Sequence, residues 1–168
     1  MRLEPKFNKA DIQKFLQEKM TFLDNAILTR LKRIGETFVK NAREDGNYTD
    51  VTGNLRNSIG YVILRDGEQL FDNFRKSARV AVKKTNKKGE VKTRITRGSG
   101  DGLTTGKRIA EEVAANFPRG YVLIVVAGMD YAAAVESRGK DVITASSITA
   151  KNDLSKAVDA IKRSLARS

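Results

Sequence analysis

Apolar residues first recur at helical spacing. Ile12, Leu16, Met20, Leu23, Ile27, Leu31, Ile34, Phe38 and Ala42 follow steps of three and four, which draws one stripe along a helix. Asn8 is placed to cap its start, Asp11 stands in the first turn, and Gly46 is placed to stop it. Unbroken from Lys9 to Glu44, such a helix would run roughly 50 Å at about 1.5 Å per residue, with Asp24-Asn25 and Gly35 as candidate bends. Asp50, Thr52, Gly53 and Asn54 then form a cluster of turn and cap residues, and a short helical turn is expected over 53–58. The period next changes from helix to strand. Ile59 to Leu64 is β-branched and aromatic, and Asp66-Gly67 is a two-residue hairpin signal that pairs it with a short strand around Glu68 to Phe71.

Further along, Arg79 to Val82 and Glu90 to Ile95 flank Asn86 to Gly89 and read as a second hairpin, with one modestly apolar side and one cationic side. Arg97 to Gly102 is glycine-rich and predicts a mobile loop. Thr105 to Ala115 reads as a helix that ends before Pro118. Gly120 to Ala127 is apolar throughout, so it is expected at the centre of the sheet with both faces covered. Turns are expected at Gly128 to Asp130 and at Arg138-Gly139, and a last short strand at Val142 to Thr144. A final helix is expected from Ser147 or Thr149, with Leu154, Ala157, Val158, Ile161 and Leu165 on one stripe. The fold class is therefore α+β: a long N-terminal helix and a C-terminal helix packed on a mostly antiparallel sheet, with a basic β-hairpin arm. At 168 residues the chain is read as one domain, 1–168, with 74–102 as an inserted basic hairpin and glycine-rich loop.

Composition narrows the chemistry. Cysteine and histidine are both absent. No disulfide framework can form, the usual zinc ligands are missing, and neither Ser-His-Asp nor Cys-His catalysis can be built. Carboxylate pairs at Glu111-Glu112, Asp130, Glu136 and Asp141 carry no mark of a catalytic cleft. The stretch from Arg97 to Lys107 resembles a phosphate loop superficially, but the glycine spacing fails and Arg108 stands where Ser or Thr is required. No catalytic residue, metal site or cofactor is expected, and the chain is read as a non-enzyme. No apolar run approaches the roughly 20 residues of a membrane span. The charged start MRLEPKF lacks a signal-peptide core, so synthesis in the cytoplasm and no membrane partner are expected.

Charge points to an acidic partner. The chain carries a net +12, and it is unevenly distributed. Between Arg75 and Arg108 there are 12 Lys and Arg against Glu90 and Asp101, while the rest of the chain holds 20 basic and 18 acidic residues. Arg79, Lys83, Lys84, Lys87, Lys88, Lys92, Arg94 and Arg97 are the candidates for an interface or for contact with a polyanion. Sequence-specific recognition of nucleic acid is not indicated: the segment lacks interleaved aromatics, and no recognised nucleic-acid motif occurs. Three readings stay open for it: a solvated surface, an arm docking on an acidic protein, and nonspecific contact with DNA.

Two stretches carry a resemblance. YTDVTGNLRNSIGY at 48–61 and AGMDYAAAVESRG at 127–139 together resemble the tailed-phage minor tail or tail-completion family, the gene-ten-like head–tail joining proteins. Thr52, Gly53, Leu55, Arg56, Ser58 and Ile59 match the first motif of that family, and Tyr131, Ala132, Val135, Glu136 and Gly139 match the second. Two residues separate Glu136 from Gly139 here, where the family pattern has one. The resemblance covers most of the chain in element order and is weakest over 74–102. It implies a structural virion protein that acts in tail completion or head–tail joining by oligomeric assembly. The implied partners are other neck and tail proteins and copies of itself in a ring. The implied place is host cytoplasm during assembly and then the neck or tail of the virion. The alternative function is a nucleic-acid-binding module using the basic 75–108 segment. In the motifs, Gly53 is expected to supply a special backbone conformation, Thr52 or Asn54 to cap the short turn, Leu55 and Ile59 to seal it onto the sheet, and Arg56 to reach Glu136.

Overall fold

A computed structural model of the chain describes residues 8–46, 48, 50, 52–75, 80–85, 91–96 and 101–166. The first helix, α1 (Lys9–Glu44), is continuous over 36 residues, with no interruption at Asp24-Asn25 or Gly35. Its start is a capping box. The Asn8 side chain accepts from the Asp11 N–H at 2.9 Å, and the Asp11 carboxylate accepts from the Asn8 N–H at 3.3 Å. A short helix, α2 (Asn54–Ser58), leads directly into β1 (Ile59–Arg65), which turns back as β2 (Glu68–Asn73). At that turn Asp66 and Gly67 hold φ of 52° and 84°, so both central residues are left-handed, as the tightest hairpin turn requires. The Asp66 carboxylate also accepts from the Gly120 N–H at 2.9 Å, which ties the turn to the start of a third strand.

That third strand, β5 (Tyr121–Ala127), pairs antiparallel with β1, and the sheet order is β2-β1-β5. Among the described residues β5 is thus an edge strand, and β1 takes the centre that the apolar run of β5 had suggested. The reason is that both strands are covered on both faces. Tyr61 and Ile63 of β1 point with Leu123 and Val125 of β5 toward α1. Val62 and Leu64 point with Ile124 and Val126 toward the other side. There the covering element is α3 (Asp101–Ala114), through Ala110, with Leu103, Ile109 and Val113 packed against the same cluster. Gly102 therefore belongs to a helix that starts four residues before the expected one, not to a loop.

After β5 comes α4 (Ala132–Glu136), and then α5 (Thr144–Ala166). No strand forms at Val142 to Thr144: Val142 is buried in the core and Thr144 already opens α5. α5 begins on the same core as α1 and then runs antiparallel to it. Ile34 meets Ala157 around one cleft, and Ile27 and Leu31 meet Val158 and Ile161 around the next. The core is thus three layers, α1 with α5, the sheet, and α3, which is an α+β fold. A separate ribbon pairs β3 (Val80–Thr85) with β4 (Val91–Thr96). Among the described residues no helix is long and apolar enough to cross a membrane.

Candidate assembly site

The residues of the first motif close the gap between α1 and the sheet. Gly53 sits at φ 81°, a left-handed conformation that glycine adopts without the usual Cβ penalty. The turn is capped by Asp50, not by Thr52 or Asn54 alone. One carboxylate oxygen of Asp50 accepts from the Gly53 N–H at 2.8 Å and the other from the Arg56 N–H at 2.9 Å. The Thr52 hydroxyl accepts the Asn54 N–H at a longer 3.3 Å. Leu55 and Ile59 are buried among α1 and sheet residues, as expected of a seal, and the Ser58 hydroxyl donates to the Leu55 carbonyl. Arg56 lies over the Tyr48 ring, 5.7 Å from its centre. Burial pushes the Tyr48 phenol up to about 12 against the pull of Arg56, and its hydroxyl donates to the Ala42 carbonyl.

The second motif organises the start of α5. One oxygen of Glu136 accepts from the N–H groups of Val142, Ile143 and Thr144 at 3.3, 2.9 and 3.1 Å, and from the Thr144 hydroxyl at 3.0 Å. These are donors that a helix start leaves without intrahelical partners, and a carboxylate there also meets the positive end of the helix dipole. Burial alone would raise the Glu136 carboxyl, but these donors outweigh it and hold it below the ordinary carboxylate value. Glu136 therefore serves α5, and the expected contact with Arg56 is replaced. Gly139 takes φ 74° in the turn that brings residues 142–144 back to Glu136.

The two motifs meet. Tyr131 shares a hydrogen bond with the Thr52 side chain and feels the charge of Asp50; burial and that charge together raise its phenol. The Ser58 carbonyl accepts the Gly128 N–H at 3.2 Å, which joins α2 to the end of β5. Ala132 is buried in the same cluster as Leu55 and Ile59, and Val135 packs against it. The third partner at this junction is α3. A Cβ at Gly106 would stand 2.5 Å from the Ser58 carbonyl oxygen, and one at Gly128 would collide with Gly106. Helix and turn thus touch backbone to backbone. Sequence reasoning missed Gly106 and Gly128 as contact residues; it named Asp50 among the turn and cap residues but gave the cap of the short turn to Thr52 or Asn54. Asp50 three residues before Gly53, opening a short turn, was the available signal.

Both carboxylates at this junction, Asp50 and Glu136, are engaged with backbone N–H groups. The arrangement holds three chain segments in place. Among the described residues no group of three or more Asp, Glu, His or Cys side chains is placed to hold a metal ion. Lys107, from the stretch that resembles a phosphate loop, lies on α3 and pairs with Asp72 at 2.6 Å.

The basic segment is a different kind of surface. Lys83, Lys84, Lys92 and Arg94 lie on the paired strands β3 and β4; Arg79, Lys87, Lys88 and Arg97 lie outside the described residues. In the backbone register Lys84 stands opposite Lys92, and Val82 opposite Arg94. Val91 and Ile95 fall opposite Thr85 and Ala81. Comparison with protein-family models, with curated proteins and with solved structures finds no match for this chain.

Proposed function

We propose that this chain is a structural virion protein of a tailed phage or prophage, acting in tail completion or head–tail joining by oligomeric assembly. The observation that carries the reading is the meeting of the two motif segments: Thr52 with Tyr131, Ser58 with Gly128, and Leu55 and Ile59 with Ala132 in one core. Segments that resemble one family in sequence, and that form one joint in space, support membership better than either alone. The order of elements also suits that family. The work of such a protein is association free energy rather than catalysis. Other neck and tail proteins and further copies of this chain are its partners, and closure into a ring needs heterologous contacts related by rotation.

The basic ribbon is assigned to those contacts. Replacing Lys83, Lys84, Lys87 and Lys88 with Glu in the source phage should cut the yield of complete particles severely, while the purified variant keeps the thermal midpoint of the parent. Normal yield would remove the ribbon from assembly. Absence of the chain from purified particles, read by mass spectrometry, would overturn the whole assignment.

The charge of the 75–108 segment favours a second reading, contact with nucleic acid. Titration of duplex DNA at about 50 and 200 mM salt separates the two, because each phosphate neutralised steepens the salt dependence. Submicromolar affinity at physiological salt with a steep slope would favour nucleic acid; weak binding favours assembly.

A further inference from the structure

We propose that the groove between α1 and α5 receives an acidic, amphipathic helical segment of a partner protein. The inference goes beyond the assembly reading and does not depend on it: it follows from the shape and charge of the groove.

Two hollows of about 430 and 320 Å³ adjoin between the helices and share Arg30 and Ala157. They run from Thr37 and Asp153 at one end to Ile27 and Lys162 at the other. That is about ten residues along α1, roughly 15 Å at about 1.5 Å per residue, the length of three helical turns. The floor is apolar. Ile27 and Leu31 of α1 and Leu154, Val158 and Ile161 of α5 line the second hollow. Leu154 and Val158 are 36 and 41% exposed, so the two helices do not close over them. A groove of this kind is a recurrent seat for the apolar face of a helical peptide.

The walls are cationic. Arg30, Arg33, Lys156 and Lys162 line the hollows, against the one carboxylate of Asp153. Asp153 stands 3.5 Å from Lys156. Arg30 donates to the Ala26 carbonyl at 3.2 Å, a bond that leaves its charge unmatched. Among the described residues Arg30, Arg33 and Lys162 have no ion-pair partner. The neighbouring acids are used elsewhere or lie off the groove. Glu36 accepts from Tyr61 and Asn73 of the sheet, Asp24 pairs with Arg65, and Asp159 lines neither hollow.

Charge complementarity selects the occupant. Carboxylates flanking an apolar stripe would meet the three unmatched cations, and the arginine fork suits a carboxylate in particular. A matched field of this kind steers encounter and rejects partners of the wrong sign. A second copy is a poorer occupant, because chains of net +12 repel. Nucleic acid would satisfy the cations and leave the apolar floor in water.

Fluorescence anisotropy with a defined peptide tests this. The probe is a labelled helical peptide of about fourteen residues, with Leu on one stripe and Glu on both flanks of it. At about 150 mM salt it should bind the full chain with Kd on the order of 10–100 μM. Arg33→Glu with Lys162→Glu should weaken that binding about tenfold or more. Both side chains are exposed, so the unfolding midpoint should not move. Lys83→Glu with Lys84→Glu makes the same change of charge on the ribbon and should weaken binding less than about twofold. A peptide with Gln for every Glu, which needs no variant of the protein, should bind about tenfold more weakly or worse. Absence of binding, a Gln peptide that binds as tightly, or equal losses from groove and ribbon variants would overturn the proposal. So would displacement of the probe by polyglutamate or duplex DNA as readily as by the unlabelled peptide. Particles that contain the chain, with no peptide binding, would remove this inference alone; peptide binding by a chain absent from particles would remove the proposed function alone.

Discussion

From Leu31 to Ala42 the first helix is enclosed: Phe38 and Ala42 are each 1% exposed against the sheet. From Ile12 to Phe22 the same helix, with the same spacing of apolar residues, faces water. The two halves differ in what lies opposite them. The second half meets Tyr61, Ile63 and the turn carrying Leu55, whereas the first half runs beyond the end of α5. Helical periodicity draws the stripe; it does not state what covers it.

Substitutions can break that contrast. Phe38→Ala should cost about 3–5 kcal/mol in urea unfolding, the usual loss for a buried aromatic. Phe22→Ala, read in dilute solution, should stay within about 0.5 kcal/mol of the parent. Equal losses at the two sites would erase the distinction between halves. Gly35→Ala comes next. Its Cβ would stand 2.6 to 2.7 Å from three atoms of the Tyr61 ring. Overpacking of that kind costs about 1–3 kcal/mol, against a gain of about 1 kcal/mol in helix propensity. A higher thermal midpoint for this variant would mean that α1 and β1 pack more loosely than described.

Glu136 links the enclosed core to α5, and its loss should have a middling effect. Glu136→Gln should lower stability by about 1 kcal/mol near neutral pH, the scale of a lost helix cap. The folded-state carboxyl sits below its ordinary value of 4.5, so its contribution is present above that pH and disappears as pH falls through the depressed value. The wild type should therefore lose part of its advantage over the variant on acidification below about 4.5. A constant gap across that range would assign the effect to packing. The smallest effect is expected at the far end of α1. Asn8→Ala removes the capping box at a local cost of about 1 kcal/mol, yet it should leave the global unfolding midpoint unmoved, since that half of the helix closes no core.

Local signals were the legible ones. Asn8 with Asp11, Asp66 with Gly67, and the alternation from Ile59 onward each act within a few residues, and the structure places them where their chemistry demands. The departures came from partners beyond the reach of the local pattern, some a few residues past it and some far along the chain. β5 is apolar throughout because α1 and α3 cover its two faces, and an edge strand so covered has the composition of a central one. Val142 to Thr144 is β-branched enough for a strand, but Glu136 gathers their N–H groups into the start of a helix. Gly102 suggests a loop until Asn54 approaches it, where any side chain would collide. At the motif junction the identity of the residues was legible, and their pairing was not: Arg56 turned to Tyr48, and Tyr131 to Thr52.

Hydrogen exchange along α1 tests most directly the claim that one half of this helix closes the core and the other does not. Amides between Leu31 and Ala42 should stay protected, while those between Ile12 and Phe22 exchange rapidly in dilute solution. Equal protection of the two halves would contradict it.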